Sequence, residues 1–216
     1  MNTKTVDYDV VSNRRHTLGE GPLWDDTAAR FVWVDAYDEA FFSLTNDVIE
    51  EPRGGASKTS RDDAPPREPM RHATGFFTIG VTPWRGPAGR LLLAGADALY
   101  EYADGRTSRV ADAPFYLIPP TAGKAATPET HRFNDVIAAP TGEYLAGIMP
   151  WTPGARKYDA GGGALIAFTD RDSPRLVMSG VRLPNGMGFS PNREWFYFTD
   201  SLRKTIYRFS YRPEGP

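Results

Sequence analysis

The stretch RFNDVIAAPTGEYLAGIM, residues 132–149, decides how this chain is read. Its centre, Pro140-Thr141-Gly142, is a turn cluster, and a short apolar run from Tyr144 to Ile148 follows it. Proline pre-sets φ and glycine frees it, so the chain reverses there. An apolar run of this length between turn signals is a strand rather than a helix. The same order recurs along the chain. Val32-Trp33-Val34 follows Trp24-Asp25-Asp26, Leu91 to Ala94 follows Gly86-Pro87-Ala88-Gly89, and Trp195 to Phe198 follows Pro191-Asn192. No segment of 10 to 12 residues has clean helical periodicity.

The units are spaced evenly. From Glu20 to Gly80 is 60 residues, from Gly80 to Asn134 is 54, and from Asn134 to Asn185 is 51. Repeats of roughly 40–50 residues, each holding several short strands, predict an all-β fold of the β-propeller kind. The expected organisation is one domain over 1–216 with about four blades. The first interval is longest because it holds Glu50 to Arg71 (EEPRGGASKTSRDDAPPREPMR), read as an exposed insert loop over about 50–72. A second loop, Pro119 to Thr130, leads into Arg132.

Composition excludes several classes. The 25 Lys and Arg nearly balance 27 Asp and Glu, and the net charge of −2 makes no electrostatic case for nucleic acid. Cysteine is absent, which removes disulfides, thiolate metal sites and a cysteine nucleophile. Lys4, Asp7, Asp9, Arg14 and Arg15 interrupt the N-terminus, so no signal-peptide core is expected there. No run approaches the ~20 apolar residues of a membrane span. The expectation is a soluble, cytoplasmic protein without a membrane or nucleic-acid partner.

Glu20, Asn134 and Asn185 are hard oxygen donors in Gly- or Pro-flanked stretches, and they open three of the repeats. Donors of this type suit Ca²⁺, Mg²⁺ or Mn²⁺, and a ring of repeats can bring all three to one axial ion. Structural readings stand beside this one. Glu20 between two glycines can accept backbone N–H groups, Asn185-Gly186 is an ordinary tight-turn dipeptide, and Asn134-Asp135 can close an Asx turn. Arg132 can bind a substrate oxygen or pair with Asp135 or another carboxylate. His131 reads as a loop residue, and Asp200 reads as a strand end bonded into its turn. Gly161-Gly162-Gly163 and Gly123-Lys124 lack the remaining residues of a phosphate loop. Gly-x-Ser-x-Gly and His-Glu-x-x-His are both absent, which weakens serine-hydrolase and zinc-protease readings.

Three long segments carry a resemblance. LGEGPLWDDTAARFVWVD (18–35), RFNDVIAAPTGEYLAGIM (132–149) and LPNGMGFSPNREWFYFTDS (183–201) resemble, in order and spacing, the regucalcin/gluconolactonase (senescence-marker-protein) family. The resemblance implies a six-bladed propeller with a divalent ion (Ca, Mg, Mn, Zn or Fe) in its axial channel. It also implies a hydrolase that opens lactones of sugar acids. Carried over by motif, Glu20 and Asn185 are implied metal ligands, Asn134 is implied at the metal or the substrate, and Arg132 at the substrate.

Two departures from the family pattern shape the expectations. The family's later Pro-Asp-Gly motif, which supplies another ligand and the presumed general base, is absent from these 216 residues, so the catalytic base is unassigned. Pro150, Trp151 and Thr152 stand where some relatives carry a carboxylate. The resemblance therefore implies a chain lacking the family's C-terminal third. Such an incomplete ring, with the strand-like segment Val6 to Val11 left without its blade, is expected to self-associate through open blade faces. Two functions remain open: a metal-dependent lactonase acting on a sugar lactone, or a catalytically silent propeller that binds a divalent ion weakly or serves as an interaction protein.

Overall fold

A computed structural model of the chain describes residues 12–45, 68–84, 87–151, 162–169 and 173–211. Among the described residues, fifteen strands fall into four antiparallel sheets. The first holds β1 (Gly19–Asp25), β2 (Arg30–Asp35), β3 (Ala40–Thr45) and β4 (Met70–Ala73). The second holds β5 (Gly80–Pro83), β6 (Leu91–Ala94), β7 (Ala98–Ala103) and β8 (Arg106–Asp112). The third holds β9 (His131–Ala138), β10 (Tyr144–Pro150), β11 (Gly163–Phe168) and β12 (Pro174–Val181). The fourth holds β13 (Pro184–Phe189), β14 (Trp195–Asp200) and β15 (Thr205–Ser210). Each sheet is a meander with its strands in sequence order, as in a propeller blade. The one helical element among the described residues is a short 3₁₀ turn, Phe115–Leu117.

All four apolar runs picked out in the sequence are second strands of their blades: β2, β6, β10 and β14. In blades 2 and 3 these second strands are buried along their whole length because blades lie against both of their faces, and side chains alternate between those faces. Leu91 and Leu93 join Val32, Val34, Phe41 and Val81 between blades 1 and 2. Leu92 and Ala94 point the other way and join Phe133, Ala146, Ile148 and Ile166 between blades 2 and 3. Leu145 and Leu165 meet Phe196, Phe198 and Tyr211 between blades 3 and 4. Each Val, Leu, Ile or Phe among them, fully buried, contributes about 1.5–3 kcal/mol relative to exposure. Gly147 marks the tightest approach, since a Cβ there would overlap the Pro184 ring of the next blade.

The first strands β1, β5, β9 and β13 are neighbours in turn and line the inner side of the arc. One sequence expectation needs adjustment. Met70 to His72, read as the end of the insert loop, belong to β4, where Arg71 pairs with Phe42 and His72 with Phe41. The reason is that blade 1 takes its fourth strand from this stretch. Residues 50–67 of that loop and the Val6–Val11 segment lie outside the described residues. No helix among the described residues is long and apolar enough to cross a membrane.

Candidate active site

Three first strands are irregular at the same level. In β1 the pairing with β2 shifts register between Glu20 and Leu23, and Gly21 takes φ of +59°. In β13 the pairing with β14 shifts between Asn185 and Met187, and Gly186 takes φ of +58°. In β9 the partners of Gly147 and Ile148 are Asp135 and Phe133, which leaves Asn134 as the extra residue. These are β-bulges, which bend a strand and re-aim one side chain out of the pleat. Glycine follows Glu20 and Asn185 because a left-handed φ costs other residues roughly 1–2 kcal/mol.

The consequence is convergence. Glu20, Asn134 and Asn185 line one cavity of about 240 Å³, together with Asp135, Thr82 and apolar side chains from all four inner strands. The fourth inner strand contributes no side chain at the corresponding place because it carries Gly80, where a Cβ would press on Val136.

Asn134 is fixed from two sides. Its Oδ1 accepts from Arg132 Nη1 at 2.9 Å, and its Nδ2 donates to the Pro184 carbonyl at 2.7 Å, tying blade 3 to blade 4. Arg132 is buried, and Nη1 also donates to the Phe133 carbonyl at 2.7 Å. Its guanidinium lies over the rings of Phe77 and Trp151, 5.3 and 5.6 Å from their centroids. Pairing of Arg132 with Asp135, open in the sequence, is not among the hydrogen bonds or ion pairs of the described residues; the guanidinium sits beside Asn134 and two aromatic rings.

Electrostatics reinforce the grouping. Burial raises the Glu20 carboxyl above its usual range, and the Arg132 charge works against that rise. Asp135 is pushed up to about 6, chiefly by burial, with backbone N–H groups of Val136 and Gly186 opposing and the Glu20 charge adding to the rise. Sequence reasoning treated Asp135 as a turn residue and missed its place in the cavity. No local signal marked it, because the bulge that turns Asn134 inward carries no glycine.

The donor set fits a hard divalent cation: two carboxylates and two amide oxygens in a cavity with no thiolate or imidazole, where the sulfur is the Met187 thioether. Among the described residues, no three His, Cys, Asp or Glu side chains group to hold a metal, so an ion here would rely on the amides. His131, expected in a loop, opens β9 opposite Pro150; its side chain bonds to Thr130 Oγ1 at 2.8 Å and to the Gly162 carbonyl at 3.0 Å and does not line the cavity. Asp200 is fully buried at its strand end and accepts backbone N–H groups of Arg182, Leu183 and Arg203.

Residues 18–216 match the family model described as the SMP-30/Gluconolactonase/LRE-like region. The chain is 32% identical over 197 residues to pentonolactonase XacC of Haloferax volcanii, covering 91% of this chain and 54% of that protein. It is 32% identical over 205 residues to 6-deoxy-6-sulfogluconolactonase of Pseudomonas putida, covering 95% and 59%. In three dimensions it resembles regucalcin, a calcium-binding protein of Agrobacterium tumefaciens, with a TM-score of 0.70 at 20% identity, covering 95% and 58%. The chain thus spans a little over half the length of the relatives it matches.

Proposed function

This chain belongs to the SMP-30/Gluconolactonase/LRE-like family, and we propose that it serves the hydrolysis of sugar-acid lactones at the cavity lined by Glu20, Asn134, Asp135 and Asn185. The observation that carries this reading is the trio of bulges, which turns one oxygen-bearing side chain from each of three blades into the same space. Bulges of this sort have little packing purpose, since they interrupt ladder hydrogen bonds. Their coincidence at one level supports a site.

Lactone opening needs an oriented ester, a water and a polarising charge. Glu20, Asn134 and Asn185 would hold a divalent ion, which when bound polarises the ester carbonyl and lowers the pKa of a bound water. The chain's own residues supply the rest. Arg132 and the Pro184 carbonyl hold the Asn134 amide in one orientation, so its oxygen needs no reorganisation when a ligand arrives. Asp135, set by the Val136 N–H at 2.8 Å, places a second carboxylate where it can accept a hydrogen bond from a sugar hydroxyl. Leu23, Ile79 and Val81 keep one side of the cavity apolar and limit water.

The test is proton release from L-arabinono-1,4-lactone and D-glucono-1,5-lactone with Mn²⁺, Ca²⁺ or chelator present. We expect metal-dependent turnover that falls about 100-fold or more in Glu20→Gln, since the lost interaction is one on which the transition state depends. Turnover indifferent to chelator, or unchanged in Glu20→Gln, would contradict the reading. A protein that binds Mn²⁺ but hydrolyses no lactone would favour the silent-propeller alternative.

A further inference from the structure

We propose that Phe77 and Trp151 form a stacking platform that receives the C–H face of the sugar-lactone ring, a proposal that rests on the lactonase reading above. Phe77 leads into β5 of blade 2, and Trp151 leaves β10 of blade 3, so two blades place one ring each at the same end of the inner strands. The rings are nearly parallel, tilted by 23°, with centroids 6.1 Å apart. The Arg132 guanidinium lies over both of them, at distances similar to their own separation. The two rings therefore do not sandwich the guanidinium, since their centroids are much closer to each other than the sum of their distances to it. Both are half-buried, whereas Arg132 is buried.

The platform adjoins the cavity through one side chain, because the guanidinium beneath the rings donates to Asn134 Oδ1 at 2.9 Å. Trp151 is anchored by its backbone, whose N–H donates to the Thr130 carbonyl at 2.7 Å. On the other flank Tyr37, 63% exposed, stands edge-on to Phe77 with centroids 5.7 Å apart. Blades 1, 2 and 3 therefore contribute Tyr37, Phe77 and Trp151 to one aromatic arc beside a polar cavity.

Aromatic faces next to convergent polar groups describe a particular ligand class. A sugar lactone has hydroxyls and an ester on its edges and apolar C–H groups on its ring face, so it needs both surfaces at once. Rings that only cushion Arg132 would affect the cavity solely by positioning Asn134. Rings that stack on the ligand act on affinity, and the two roles separate in the kinetics.

The experiment measures binding and turnover separately on the 216-residue chain with Mn²⁺. L-Arabinono-1,4-lactone and its open-chain acid, L-arabinonate, are titrated by calorimetry, and lactone opening is followed by proton release. Trp151→Leu and Phe77→Leu should each raise KM and the arabinonate Kd about five- to tenfold, the scale of one aromatic contact, with kcat within about threefold. Trp151→Phe should restore most of the affinity, and a thermal melt reports whether each variant is folded. Binding without turnover by the unaltered chain would remove the lactonase reading and leave the platform standing if the Leu variants bind more weakly. The platform is overturned if neither ligand binds, if both Leu variants keep their affinity, or if kcat falls while KM stays constant.

Discussion

His72 shows how one side chain can set a chemical property of the fold. It lies on Phe41 with ring centroids 4.3 Å apart, and its two nitrogens meet Ser43 Oγ at 2.9 Å and Tyr102 OH at 3.1 Å. Tyr102 comes from blade 2, so this chain of hydrogen bonds sits in the seam between two blades. Burial pushes the imidazole below its ordinary value, and the charge of Arg30 pushes it further; burial likewise raises Tyr102, which stays neutral. A histidine held neutral when folded binds fewer protons than the unfolded chain below about pH 6.5. Its contribution is therefore complete above that pH and declines as the pH falls toward the folded value. Urea midpoints between pH 5 and 8 should drop more steeply for the unaltered protein than for His72→Gln, which keeps polar atoms but cannot titrate. Parallel profiles would show that His72 is not the group responsible.

At the scale of the element, the chain repeats a device at the ends of β2 and β14. Asp35 accepts the N–H groups of Thr17 and Leu18, and Asp200 accepts those of Arg182 and Leu183. The Ala36 N–H then donates to the Leu18 carbonyl, and the Ser201 N–H to the Leu183 carbonyl. Each carboxylate thus clamps the segment that enters its own blade's first strand, two residues before Glu20 or Asn185. Removing it leaves buried N–H donors without partners, which costs about 1–3 kcal/mol for each fully buried group. Asp200→Ala should lose about 3 kcal/mol in urea unfolding and weaken Mn²⁺ binding as Asn185 loses its anchor. A loss below about 1 kcal/mol would mean that the clamp is replaced by water. The sequence allowed the first part of this to be read, since Asp200 follows an apolar run and a turn begins there. It hid the second, because the clamped N–H groups lie 17 and 18 residues earlier. The same limit applies elsewhere: strand runs and their spacing are local and were legible, whereas the meeting of Phe77 with Trp151 depends on how blades stack. Bulges fall between these cases. Glycine after Glu20 and Asn185 hinted at them, but the bulge at Asn134 has no glycine and left Asp135 unrecognised.

At the scale of the whole molecule, blades pack through alternating apolar faces and thereby bring Glu20, Asn134 and Asn185 to one cavity. Leu145 and Ala146, adjacent in sequence, serve different seams, so each blade fixes the rotation of the next. Gly147 against Pro184 sets how closely blades 3 and 4 approach, and the Asn134 bond to the Pro184 carbonyl crosses that same contact. The site is therefore a product of blade packing rather than of any single loop. The most direct measurement is an anomalous-difference map from crystals of this chain soaked in Mn²⁺. The account predicts one strong peak within roughly 2.5 Å of carboxylate and amide oxygens of Glu20, Asn134 and Asn185. A peak held by other residues, or an empty cavity at saturating Mn²⁺, would contradict it.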